Sequence, residues 1–192
     1  MMVDMTQAYT EATNNIRTWR TRYSADEYPH KIVINMMYRA YTMRQVWNDF
    51  MFGRLPRYNN FTTAIGEMEK YYSEVAYNSV KDNLLVWLRR QPDEQVGTLT
   101  FSRYERLASL AESDRAKKEE LEFSYIFELL CDKCVLYYLA IRQCGKSSVE
   151  AIQLLTGYVI EDIPQIDYTI AKQAFIQLGI GRYMHEHYTP LP

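Results

Sequence analysis

Apolar side chains recur every three or four positions along most of this chain, which is helical periodicity. Met5, Tyr9, Ala12, Ile16, Trp19 and Tyr23 form the first such stripe. Residues 24–29, SADEYP, interrupt it, and the closing proline suits the first turn of the next helix. That second helix is predicted over about residues 30–52 on Val33, Met36, Ala40, Met43, Trp47 and Phe50, with Gly53 as its C-terminal cap. Two matched stripes joined by a short connection predict an antiparallel hairpin.

Asn59 or Asn60 can cap a third helix, predicted to run to about residue 91 on Phe61, Ile65, Met68, Tyr72, Val75, Val80, Leu84 and Trp87. Residues 91–97, QPDEQVG, read as a linker. Thr100 caps a fourth helix carrying Phe101, Tyr104, Leu107, Leu110 and Ala111. The charged run at 112–120, ESDRAKKEE, consists largely of good helix formers and lacks Gly and Pro, so helix is predicted to continue through it. The stretch 121–144 is apolar on nearly every side, the mark of a buried central helix. Gly145 ends it, and Ser147 with Glu150 forms a capping box for a short helix to about residue 156, terminated by Gly157. A turn at 162–164, a last helix from Asp167 and a tail at 181–192 complete the chain.

The expected fold is therefore all-α, a bundle of about six or seven helices around the central helix at about 121–144. One domain is expected over 1–192, divisible into a hairpin plus long helix at 1–91, a helical part at 98–180 and the tail at 181–192. Composition agrees: 47% of residues are hydrophobic, enough for a core, and the few turn-forming residues (7 Gly, 6 Pro) disfavour a β fold. The 17 tyrosines suit the half-buried layer of a bundle, or an interface.

Three cysteines, an odd number, point away from a disulfide framework and towards a reducing, cytoplasmic setting. The first residues show no secretory pattern, and the longest apolar run is too short for a membrane span, so no membrane partner is expected. The formal net charge of −2 imposes no nucleic-acid partner, although the first sixty residues are mildly basic.

Several motifs invite chemistry. Residues 140–147, AIRQCGKS, approximate a phosphate loop, but the interior Ile, Arg, Gln and Cys suit a helix, and no parallel sheet can follow in the remaining length. Cys131 and Cys134 share a helix face, with Cys144, His185 and His187 as conceivable further ligands. No second Cys or His pair has zinc spacing, so buried core cysteines, no metal and no cofactor are expected. His30 stands alone, Glu161 and Asp162 read as turn residues, and no nucleophile–base arrangement is visible, so no catalytic residue is assigned.

Two binding signals remain. Arg17, Arg20, Arg22, Arg39, Arg44, Arg54 and Arg57 interleave with aromatic residues, the pattern of a nucleic-acid or partner surface. Residues 147–180 resemble a helix-turn-helix in outline, but the connection is long and the second helix has one Lys and no Arg. The function expected is a non-enzymatic protein–protein interaction module. It would serve as a structural or adaptor subunit of an intracellular or viral assembly, with a protein partner or a second copy. The alternative is a nucleic-acid-binding accessory factor using the N-terminal arginines or the C-terminal helices.

Overall fold

The computed structural model describes residues 5–81, 83–96 and 99–161, with residues 156–161 as backbone. Within them the chain forms α1 (Met5–Arg22), α2 (Tyr28–Met51), α3 (Phe61–Lys81), α4 (Leu84–Arg89), α5 (Phe101–Ala111), α6 (Arg115–Gln143) and α7 (Ser148–Glu161). A two-stranded antiparallel ladder, β1 (Gln95–Val96) and β2 (Leu99–Thr100), is the only sheet among the described residues. The fold is all-α, and no helix among the described residues is long and apolar enough to cross a membrane.

α6 is the axis. Four pairs set the direction of α1 against it: Arg20 with Glu122, Asn15 and Trp19 with Tyr125, and Met5 with Cys134. The numbering falls on one side as it rises on the other, so α1 is antiparallel to α6. Tyr28–Glu122, Arg39–Asp132 and Trp47–Tyr138 rise together, so α2 is parallel to it. Phe61–Tyr137 and Glu69–Lys133 make α3 antiparallel. α1 and α2 thus run antiparallel as the hairpin expectation required, but α1 packs chiefly on α6 and only lightly on α2.

Helix ends follow local chemistry. Pro29 sits in the first turn of α2, where a missing N–H costs nothing. At the other end Gly53 takes φ +68°, Gly53 N–H donates to Phe50 C=O (3.0 Å) and Arg54 N–H to Asp49 C=O (2.8 Å). This is a Schellman stop, which needs a residue without a Cβ penalty in the left-handed region. Asn60 caps α3 through Thr63 N–H (2.9 Å), and Thr100 caps α5 through Arg103 N–H (3.4 Å). The Ser147–Glu150 box closes in both directions, at 3.2 and 3.3 Å.

Five expectations are corrected. The third helix does not reach residue 91: Asn83 turns left-handed (φ 53°) and starts a separate α4, a conformation that Asn tolerates better than most residues. The break shifts the helical phase, so Trp87 leaves the stripe and is exposed while Leu88 is buried; Val80, at the end of α3, is also exposed, with Ser79 buried in its stead. The presumed linker contributes the small ladder and buries Val96 completely. On α5, Phe101, Tyr104 and Ala111 are buried as expected, but Leu107 and Leu110 face outward and Ala108 is buried instead. The charged run does not continue the helix, because Asp114 accepts from Lys117 N–H (3.2 Å) and caps a new one. α7 likewise passes through Gly157 to Glu161. The turn at 162–164, the helix from Asp167, and His185 and His187 in the tail lie outside the described residues.

The core forms two apolar clusters stacked along α6. One joins the starts of α1 and α3 to the ends of α2 and α6, with α7. The other joins the end of α1 to the starts of α2 and α6, with α4, Val96 and α5. Tyr9, Tyr23, Tyr38, Tyr41, Tyr58, Tyr71 and Tyr72 occupy the half-buried layer around them, as suits a ring with a polar tip.

Candidate functional site

The two clusters meet at a layer of charge. α6 contributes Glu128 and Asp132, four residues apart and therefore on one helix face. Asp132 is buried, with only 1% of its surface exposed, and accepts from Arg39 Nε on α2 (3.3 Å). The second arm of Arg39 points to Glu11 on α1 (3.7 Å), and its guanidinium lies 5.5 Å from the Tyr72 ring on α3. Four helices thus converge on one guanidinium.

Two buried carboxyl groups here share a single arginine. Burial above all, then the Asp132 charge, pushes the Glu128 carboxyl well above the ordinary range, and Arg39 only partly opposes this. Glu128 therefore holds a proton where Asp132 pairs with Arg39. Burial also raises the Tyr72 phenol, which stays a neutral ring. Burial works against the Arg39 charge, yet the carboxylates of Asp132 and Glu11 keep it protonated. Above this layer lies a cleft of about 240 Å³ between α1 and α3, walled by Gln7, Glu11, Glu69, Tyr72 and Lys133. The Lys133–Glu69 ion pair closes one side.

The sequence pattern alone does not single out this site. Its signal is present, however: the charges inside the apolar stretch are Glu122, Glu128, Asp132, Lys133 and, in its last turn, Arg142, and the first three are buried. A charge placed on a helix apolar all round must find a partner inside the fold.

The seven arginines do not gather on one surface. Arg39 belongs to the charge layer. Arg44 is buried and donates to the Gln95 carbonyl, which fastens the small ladder to α2. Arg20 forms a two-armed pair with Glu122, with Nε to Oε1 at 2.9 Å. Arg54 pairs with Asp49 (3.3 Å) beside the Phe52 ring. Arg17 and Arg22 are exposed on the last turns of α1, and Arg57 is exposed in the α2–α3 loop. Tertiary folding thus gives four of the seven an intramolecular partner.

Cys131 and Cys134 are buried and form no disulfide, and burial pushes the Cys134 thiol up, so it packs as a small apolar group. Residues 140–143 of the phosphate-loop lookalike are the last turn of α6, and Gly145 (φ +90°) is its stop. His30 meets Glu112 at 2.6 Å, an ion pair when the ring is protonated.

One surface feature stands apart from these internal pairings. Tyr77 and Val80 at the end of α3 are 69% and 59% exposed, and Val86 and Trp87 on α4 are 48% and 45% exposed. Trp87 lines a shallow depression with Tyr41, Gln45, Asn78, Ser79 and Leu84. The left-handed turn at Asn83 creates this corner, because it swings α4 off the line of α3.

No protein family, no curated protein and no solved structure matches this chain.

Proposed function

We propose that the protein is a non-enzymatic helical module that binds another protein through the corner formed by the end of α3 and α4. The exposed quartet Tyr77, Val80, Val86 and Trp87 carries this reading. Large apolar side chains left exposed at the end of one helix and on the next are the kind of surface an association site presents. Aromatic residues, Trp and Tyr above all, dominate the binding energy of such sites. The charge layer supports the same reading from inside. Its acids and arginine are engaged with one another across three helices, with the Tyr72 ring of a fourth beside them, an arrangement that fixes helix register.

The test is a variant with Val80→Ser and Trp87→Ser, both at exposed positions, compared with the parent chain for solution mass and for recovered partners identified by mass spectrometry. The expected result is an assembly or a defined partner that the parent holds and the folded variant releases. A parent chain that stays monomeric and recovers no defined partner overturns the proposal, as does one whose complex is unchanged in the variant.

A further inference from the structure

The α2–α3 loop and the turn between α6 and α7 enclose an open groove of about 700 Å³. The loop is tied in place. Gln143 donates from Nε2 to the carbonyls of Leu55 (2.9 Å) and Pro56 (2.8 Å), and Tyr58 N–H donates to Gln143 C=O (2.9 Å). These bonds hold Arg57 against the same groove as Arg142 and Lys146. Arg142 is also fixed. Its Nη1 donates to the Tyr138 hydroxyl (3.0 Å), and its guanidinium lies 5.1 Å from the Phe50 ring and 5.9 Å from that of Tyr138.

None of these three cations has an ion-pair partner among the described residues. No Asp or Glu is among the groove's described lining residues. The nearby Glu150 turns its carboxylate back on Ser147 N–H (3.3 Å). Among the described residues Arg20, Arg39, Arg54, Arg115 and Lys133 each meet a carboxylate and the other Lys and Arg form no ion pair; what distinguishes Arg57, Arg142 and Lys146 is that they line one groove together. Three like charges held together without a counter-charge repel one another, and an anion from solution relieves that repulsion. Phe50, Met51 and Leu55 supply an apolar wall beside them, and the volume suits a small organic ligand.

The geometry points to a binding site for a small phosphorylated molecule, its phosphates on Arg57, Arg142 and Lys146 and its apolar body against Phe50 and Met51. A planar guanidinium fork matches phosphate oxygens, and lysine adds a mobile point charge. The site is separate from the α3–α4 corner and does not depend on what that corner binds.

Calorimetric titration with ADP and with inorganic pyrophosphate at low salt tests this. Both probes are expected to bind, ADP more tightly because of its ring. Arg57→Ala and Lys146→Ala, each at an exposed position, are each expected to weaken binding by about tenfold or more, the scale of a lost charge-assisted hydrogen bond. Arg22→Ala, at the far end of α1, is expected to leave it unchanged. Absence of binding by both probes at millimolar concentration overturns the proposal. Equal affinity in the Arg57 and Lys146 variants does so too. A single-stranded RNA that binds where neither probe does replaces the small-molecule reading with a nucleic-acid one.

Discussion

Replacing Glu128 with Gln tests the charge layer directly, because it removes a titration while keeping the shape of the side chain. The folded-state pKa of Glu128 is raised, first by burial and then by Asp132. A raised carboxyl pKa means that the folded protein binds more protons than the unfolded chain above the ordinary value of 4.5. The stability from this group is therefore complete below that value and declines as pH rises, until the folded pKa is passed. Within that window the slope approaches about 1.4 kcal/mol per pH unit. Between pH 5 and pH 7 the parent is expected to lose stability through this group, with about 3 kcal/mol as the ceiling that one proton over two pH units sets. For a chain of this size that is about 5–10 °C in melting temperature. The groups facing Glu128 are Asp132 and Tyr125 on α6, Arg39 on α2 and Tyr72 on α3. All of these are retained in Glu128→Gln, and because Glu128 and Asp132 titrate as a coupled pair, the difference in slope between the two proteins reports the proton that this pair holds. Urea unfolding at pH 5, 6, 7 and 8 measures both slopes. The expected result is a parent that loses stability with pH more steeply than the variant. Parallel curves would falsify the assignment and mean that Glu128 is ionised in the folded state.

Two further substitutions probe the same axis. Arg39→Ala leaves Asp132 buried without its cation and is expected to cost about 3–5 kcal/mol in urea unfolding. The paired Arg39→Met, Asp132→Leu variant is expected to recover most of that, and failure to recover it would mean that the ion pair is stabilising in its own right. Cys134→Asp places a charge where 1% of the surface is exposed, and is expected to abolish cooperative unfolding while Cys134→Ala folds. A folded, soluble Cys134→Asp protein would show that α6 admits water at this depth.

The elements that were legible beforehand are those whose signal is local. The stripe on α1 is buried at Met5, Ala12, Ile16 and Trp19, where its spacing placed it. Gly53, Gly145, Asn60, Thr100 and the Ser147–Glu150 box act as caps and stops, because a cap is a contact between residues three to five apart. The misread boundaries at Asn83 and Asp114 are also local in cause. Both sit among good helix formers, and propensity favours continuation only weakly, so a side chain able to cap or to turn left-handed can end the helix. Leu107 and Leu110 were assigned to the core because they are apolar, whereas close approach of α5 to its neighbours selects the smaller Ala108.

The candidate sites lie in the other category. The charge layer joins Glu11, Arg39, Tyr72 and Asp132. The groove joins Arg57 to Arg142 and Lys146. Within each set only neighbours four apart, Glu128 with Asp132 and Arg142 with Lys146, are linked by spacing, and nothing in the sequence ties them to the remaining members. What the amino-acid pattern determined by itself was the all-α class, the central helix and most of its stops, since each depends on contacts within a turn or two of chain. Tertiary structure decided which arginines are internal partners and which face solvent, and which acids are paired or protonated. The physical reason is that charge–charge energy depends on distance and burial in space, and these are fixed only when α1, α2 and α3 settle around α6.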